Sequence, residues 1–313
     1  MEANDLVQLR LIFLGTSSSI PTPERNLTSL ALKRGNEILV FDVGEGTQRQ
    51  MIKAGIRLGR ITKIFITHFH GDHILGLFGL LQTMSLLNRD APLDIYGPRG
   101  IIGFLKHNMR YLRFGLTFTI NAYEVKNGVI IREKNYLIKA CQSEHNIKSY
   151  AYLFEEFDRQ GVFYPERASK LGVPKGKLWS KLQRGESIVI GDKIVSPDLV
   201  LGPKRPGRRI GISGDTRPNV ILSKFFSNVD VVVFDSTYGE EHSDKAKENM
   251  HSTCVEAAQL AKDVGVKLLI LTHFSARYND VSRLVSQALM IHPNVIAASD
   301  LDIIQVPYPD EQG

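Results

Sequence analysis

The chain has 313 residues, a formal net charge of +6, 43% hydrophobic and 23% charged residues, an ordinary globular balance that excludes disordered, collagen-like and coiled-coil chains. Its longest apolar runs, such as Val231–Phe234 and Leu268–Leu271, fall far short of the roughly 18 residues that span a bilayer, and the opening MEANDLVQLRLIFLG lacks the basic segment and cleavage site of a secretory leader. Cys141 and Cys254 are the only cysteines, too few for a disulfide framework, so a cytoplasmic protein with buried free thiols is expected.

In the N-terminal third, VQLRLIFLG, LTSLALKR and NEILVFDVG alternate apolar and polar residues between Gly, Pro and Asn signals and predict an antiparallel meander. Helical spacing begins at Glu45 and runs through GTQRQMIKAG; ITKIFITH returns to a strand, and HILGLFGLLQTMSLL reads as a buried helix. LDIYG predicts a strand and IIGFLKHNMRYL a helix. Strands resume over residues 116–155, where Asn127-Gly128 between two alternating runs is the strongest hairpin signal of the chain. Farther on, RRIGISGD, VDVVVFDS and VKLLILTH are short β-rich runs, with helices from about Thr253 to Asp263 and from Val281 to Ile291. Strands followed by helices, twice over, predict an α/β chain of two sheets packed face to face with helices outside.

Between these halves the texture changes. Residues 159–209 hold 12 Lys and Arg against 4 Asp and Glu, a local charge of +8 that leaves −2 for the remainder. The segment PERASKLGVPKGKLWSKLQRGE is rich in Gly, Pro and Lys, carries the only tryptophan and reads as an insertion. Trp179 among Lys175, Lys177 and Lys181 suits a nucleic acid, whose phosphates pair with ammonium groups while a ring stacks or braces; equally, Trp179 packs a small core of the insertion itself.

The chemistry concentrates at strand ends. His68, His70, Asp72 and His73 follow directly on KIFIT. In extended backbone, residues two apart share a face, so His68 and His70 reach one ion together, and Gly71 permits a bend that aims Asp72 and His73 at a second point. His145 after YLIKACQS, Asp215 in SGDT and His273 after VKLLILT repeat the placement. Five His and two Asp are too many for one tetrahedral ion and right for two. A pair of ions bridged by a carboxylate lowers the pKa of bound water and clamps the oxygens of an in-line phosphoryl displacement.

THFHGDH resembles the His-x-His-x-Asp-His signature of the metallo-β-lactamase superfamily. FLGTSSSIPTPERN, FDVGEGTQRQ, SGDTRP, the HST of residues 251–253 and SDLDIIQVPY resemble the short form of transfer-RNA 3′-processing ribonuclease Z over nearly the entire chain. The resemblance implies a single metallo-β-lactamase domain over residues 1–313, an αββα four-layer sandwich, with residues 159–188 as an inserted flexible substrate-binding arm. It implies two zinc ions per subunit, one on His68, His70 and His145, the other on Asp72, His73 and His273, with Asp215 bridging. Asp72 would be the general base and His251 the proton donor to the departing 3′ oxygen; His251 also precedes a helix start, where amide donors can receive a phosphate. Arg25, Asn26, Lys175, Gly176, Lys177, Trp179 and Lys181 would contact substrate. The implied substrate is precursor transfer RNA, cut to a 3′-hydroxyl and a trailer with 5′-phosphate by a homodimer. Pro23 stands where many members have Lys, and Gly176-Lys177 where relatives commonly have Gly-Pro.

Two other readings share parts of this pattern. A superfamily hydrolase of small phosphodiesters or thioesters would use the same ions but would not need the basic arm or His251. A non-catalytic RNA-binding module would not need so many ligands, because a closed structural site uses four and no bridge.

Overall fold

The computed structural model describes residues 7–311. It divides into two compact units, the first spanning Met1–Glu155 with Arg209–Pro307 and the second Glu156–Arg208 with Tyr308–Gly313. The second unit is therefore wider than residues 159–188 and draws in the end of the chain. No helix among the described residues is long and apolar enough to cross a membrane.

In chain order the first unit opens with β1 (Leu9–Gly15), β2 (Ser29–Arg34), β3 (Glu37–Phe41), β4 (Ile61–Phe65), β5 (Leu93–Gly97) and β6 (Ile120–Glu124). There follow β7 (Gly128–Arg132), β8 (Tyr136–Ser143) and β9 (Ser149–Glu156), while β10 (Ile188–Ile190) and β11 (Lys193–Val195) form a ribbon of the second unit. The first unit resumes with β12 (Arg209–Ile212), β13 (Val231–Asp235), β14 (Leu268–Thr272), β15 (Val295–Ala297) and β16 (Ile303–Gln305). Two seven-stranded sheets result, ordered β16-β1-β2-β3-β4-β5-β6 and β15-β14-β13-β12-β9-β8-β7.

The alternation of β1 shows how the layers arise. Leu9, Leu11 and Phe13 join Tyr152, Phe154, Ile210 and Val233 of the opposite sheet in the inter-sheet core, while Ile12 and Leu14 face a helical layer. That layer comprises α1 (Thr47–Lys53), α2 (Gly71–Ile74), α3 (Leu77–Leu86) and α4 (Ile101–Leu112). Strands covered on both faces are apolar on both, which is why β13 reads VVVF. In the second unit lie α5 (Pro165–Lys170) and α6 (Lys177–Gln183); α7 (Val220–Phe225), α8 (Ser243–Glu248), α9 (Cys254–Asp263) and α10 (Ser282–Leu289) return to the first. Leu222, Ala257, Leu260 and Leu284 of α7, α9 and α10 cover the outer face of the second sheet through Val232 and Leu269. The expected αββα sandwich is thus present.

Two expectations need correction. Asn127-Gly128 is not a hairpin turn: β6 pairs in parallel with β5 in the first sheet, whereas β7 pairs antiparallel with β8 in the second. Gly128 does take a positive φ of 108° and Asn127 Oδ1 accepts from Gln142 N at 2.7 Å, so the dipeptide bends the chain as its chemistry dictates. Which strands pair is set instead by the apolar faces they bury. The long helix expected from His73 is broken between α2 and α3, because Gly76 lies against the loop after β3. A Cβ on Gly76 would fall 2.0 Å from Gly44 O.

The second unit has its own small core, in which Ala168, Val173, Leu182, Ile188, Val195 and Val200 are buried. Its base is held by Arg208, buried to 2% exposure, whose Nε and Nη2 donate to the Glu156 carboxylate at 2.7 and 3.0 Å. The Tyr308 ring lies between the guanidinium groups of Arg208, at 3.8 Å, and Arg159, at 3.4 Å. Arg159 and Arg205 both pair with Asp310. The last described residues thus tie together the outgoing and returning strands of the unit.

Candidate active site

Each ligand-type residue leaves a strand just as its hydrogen-bonded ladder ends. His68 and His70 follow β4, Asp72 and His73 open α2, His145 follows β8, Asp215 follows β12 and His273 follows β14. Ligand atoms of His68, His70, His145 and Asp215 lie within 4.8 Å of one another, as do those of Asp72, His73, Asp215 and His273. The structure therefore brings all seven together in two groups that share Asp215.

The separations suit cations. A tetrahedral ion with imidazole nitrogens at about 2.0–2.1 Å spaces its ligand atoms by about 3.3 Å. His73 Nε2 and His273 Nε2 are 3.3 Å apart, His145 Nε2 and His70 Nδ1 are 3.2 Å apart, and His68 Nε2 and His70 Nδ1 are 3.0 Å apart. Asp215 Oδ2 lies 3.6 Å from His68 Nε2 and 3.3 Å from His73 Nε2, and its Oδ1 lies 3.3 Å from His273 Nε2. Asp72 Oδ2 lies 3.5 Å from both His73 Nε2 and His273 Nε2.

The far nitrogens of four of these five rings are engaged, which fixes tautomer and aim. His73 Nδ1 meets Asp42 Oδ2 at 2.7 Å, His68 Nδ1 meets Thr67 Oγ1 at 2.9 Å, His145 Nδ1 meets Met250 O at 2.9 Å and His273 Nδ1 meets Thr237 Oγ1 at 2.8 Å. Asp42 also accepts from Thr67 N and Oγ1 at 2.7 and 2.8 Å. Asp42, Met250 and His273 have φ of 57°, 59° and 63°, a left-handed backbone that costs a non-glycine residue about 1–3 kcal/mol and gathers at functional sites.

Electrostatics divide the groups. Burial and the neighbouring His73 push His68 well below its ordinary value, and burial lowers His70 and His145, so these rings present neutral lone pairs. Burial would also depress His73, but the carboxylates of Asp215 and Asp42 override it and raise the ring well above its ordinary value. Burial opposes ionisation of Asp72, yet hydrogen bonds from His273 and His73 hold its carboxyl well below the usual range. Three carboxylates around one ring form a concentration of negative charge that matches divalent cations.

His251 stands beside this cluster, in the loop before the capping box of Thr253 and Glu256 that starts α9. Its Nδ1 bonds Asp235 Oδ2 at 2.8 Å and its backbone N–H donates to Ala246 O at 2.8 Å. Burial pushes the imidazole down, but Asp235, with Asp215 behind it, raises it to about 9; it is charged at neutral pH. Arg217 Nη1 donates to His251 O at 2.7 Å, and the same guanidinium pairs with Glu256. A cleft of about 520 Å³ opens onto His70, Asp215 and His251 from Ser18, Asn146 and Arg277.

The other expected contact residues are scattered. Arg25 Nη1 donates to Tyr278 O at 2.7 Å, and the Asn26 amide is committed to Leu27 O and Glu45 O at 3.3 and 2.9 Å. In the second unit Lys175, Gly176, Lys177 and Lys181 are exposed. Lys177 and Lys181, one turn apart on α6, share a face, and Gly176 before them has φ 132°, where only glycine is at ease. Trp179 instead braces its own unit, 5.3 Å from the Phe163 ring and donating Nε1 to Val173 O at 2.9 Å.

Asp42 and Asp235 were not singled out in the sequence, although the signal was there. Both follow a Phe at the end of an apolar strand, in VFDVG and VFDST, the same placement that marked Asp215.

Comparison with known proteins agrees with the architecture. The family model described as Anti-Pycsar protein Apyc1 matches residues 9–165, a span that contains β1 and the HFHGDH segment but stops before Asp215, His251 and His273. The solved metallo-β-lactamase fold protein YhfI from Bacillus subtilis matches with a TM-score of 0.69 at 14% identity, over 96% of this chain and 100% of that one, which shows the fold. Human tRNase Z, short form, matches with a TM-score of 0.71 at 30% identity, over 95% of this chain and 99% of that one. Ribonuclease Z of Nitrosopumilus maritimus is 47% identical over 298 residues, 95% of this chain and 100% of that protein. Likeness of this degree along nearly the whole of both chains means that the protein belongs to the ribonuclease Z family, built on the metallo-β-lactamase fold.

Proposed function

We propose that this protein is a metal-dependent endoribonuclease that removes the 3′ trailer from precursor transfer RNA, leaving a 3′-hydroxyl on the transfer RNA and a 5′-phosphate on the trailer. The observation that carries the reading is full-length likeness to ribonuclease Z in a chain whose five His and two Asp converge on Asp215, with a charged His251 beside them. Two zinc ions fit the donor set, one on His68, His70 and His145 and one on Asp72, His73 and His273, with Asp215 between; when bound they supply Lewis-acid stabilisation of phosphate charge and an acidified water.

The chain's own groups do the rest. Asp72, ionised at neutral pH, takes the proton of the attacking water. His251, held charged by Asp235, delivers a proton to the departing 3′ oxygen, and Asp235 keeps the donating Nε2 turned to the cleft. Arg25 with Asn26 shapes the loop PTPERN near the cleft, and Lys175, Lys177 and Lys181 of the second unit neutralise RNA phosphates, with Gly176 forming the bend and Trp179 stiffening α6. A homodimer in the cytoplasm is the expected form. No observation favours a small-ester hydrolase or a non-catalytic RNA-binding module.

The deciding experiment incubates metal-loaded protein with end-labelled precursor transfer RNA and maps the cut. A single cut at the trailer junction bearing the stated ends supports the reading; intact RNA, or cuts scattered along it, overturns it.

A further inference from the structure

The first unit carries a second cleft, of about 400 Å³, lined by Arg10, Lys33, Asn36, Arg57, Arg60 and Ile303 among others, with no Asp or Glu in its lining. It sits toward the start of β1, whereas the metal-ligand cluster gathers where β1 ends and β4 runs out. Arg10 and Lys33 are direct partners in the antiparallel register of β1 and β2 and lie on the same face as Ile12 and Ala31, so two cations stand side by side on one surface. Like charges directly opposite in a sheet are destabilising. The usual relief is an acidic neighbour, yet Arg10, Lys33, Arg57 and Arg60 make no ion pair among the described residues. The short turn Leu58–Arg60 and the residue before it add the two further guanidinium groups. Guanidinium forks match phosphate oxygens two at a time, and the volume is that of a small-ligand cleft, roughly 300–1,000 Å³.

We propose that this cleft binds clustered phosphates, two or three adjacent groups, with Arg10 and Lys33 contacting them from the sheet and Arg57 and Arg60 from the turn. Binding in this cleft is independent of the proposed endoribonuclease activity. The phosphates come either from a free oligophosphate or from an RNA backbone, and the chemistry of recognition is the same.

The test uses the full-length protein and two probes, inorganic tripolyphosphate and a short RNA duplex without a trailer, titrated calorimetrically. The proteins are wild type, Arg10→Gln with Lys33→Gln, Arg57→Ala with Arg60→Ala, and His68→Ala with His70→Ala. The expected result is one saturable site for at least one probe that weakens tenfold or more in both cleft pairs and persists in the histidine pair. Loss for tripolyphosphate identifies a free oligophosphate, and loss for the duplex alone identifies an RNA backbone. Melting temperature supplies a readout that survives a poorly folded variant: saturating probe raises that of wild type but not that of Arg10→Gln with Lys33→Gln, which in the absence of probe melts at or above wild type because like-charge repulsion is relieved. Affinity unchanged in both cleft pairs, or binding lost only in the histidine pair, overturns the proposal.

Discussion

Asp235 Oδ2 lies 2.8 Å from His251 Nδ1, while the same carboxylate accepts from Thr216 N at 3.1 Å and its other oxygen accepts from Thr237 N and Oγ1 at 3.0 and 2.7 Å. A carboxylate so fully satisfied is a fixed post, and the imidazole it holds is charged and aimed. Asp235→Asn is expected to lower kcat for precursor RNA by about 10²–10⁴, the usual worth of a positioned proton donor, with RNA affinity unchanged. On a phosphodiester with a nitrophenolate leaving group, which departs without a proton, the loss should be much smaller. Equal losses on both substrates would remove His251 from the donor role.

Metal content gives an independent check. Elemental analysis of unstripped protein should return two divalent ions per chain, and chelation should abolish cleavage. Asp42→Asn, which touches no proposed ion but loosens His73, should weaken metal affinity by about 10–100-fold. Asp215→Ala should lose both ions, since both groups share it, whereas His273→Ala should retain the one on His68, His70 and His145.

The lysines of the second unit are best tested by charge reversal. Deleting residues 161–186 would remove Ala168, Val173 and Leu182 and uncover Ile188, Val195 and Val200. Lys175→Glu, Lys177→Glu and Lys181→Glu together should weaken RNA binding and flatten the slope of log affinity against log salt by about 2–3, close to one for each lost phosphate contact. Saturated kcat should not move. An unchanged slope would show that these side chains do not meet phosphate.

Thiol chemistry should be silent in the native state. Cys254 is buried, and burial, with Glu241 nearby, pushes its thiol up to about 12; burial also raises Cys141. A raised thiol is protonated at pH 8, leaving about one thiolate in ten thousand at Cys254. A chromogenic disulfide reagent at pH 8 should label neither cysteine in native protein and both after unfolding.

Arg208→Ala should destabilise the second unit by about 3–5 kcal/mol, the usual effect of removing one side chain of a buried ion pair, here the one with Glu156. Hydrogen exchange should locate the loss in residues 156–208. A uniform loss across β1–β4 as well would mean that the two units unfold together.

The clustering of these seven residues was legible in the sequence because each stands at or just past the end of an apolar strand, a position where a polar side chain needs a partner. The same reasoning extends to Asp42 and Asp235, but a lone carboxylate at a strand end carries less signal than three His within six residues, and their role depends on which histidine stands opposite. Strand pairing was less legible. Asn127-Gly128 bends as its residue types require, yet the strands on either side join different sheets, because register follows burial of residues such as Ile131 and Ile138 and not the turn between them. The fate of Trp179 also turned on packing: the sequence allowed stacking or core, and the hydrogen bond to Val173 O with the contact to Phe163 fixes it against its own unit.

The seven clustered residues come from strand ends in both sheets, and His68 and His273 are separated by most of the chain. During synthesis the HFHGDH segment emerges long before Asp215 and His273, so a nascent chain can offer only a fragment of the cage. With the proposed ligand set, complete coordination waits until β14, which leads into His273, has docked, which would make cation capture a late event of maturation and link the lifetime of the finished enzyme to metal supply.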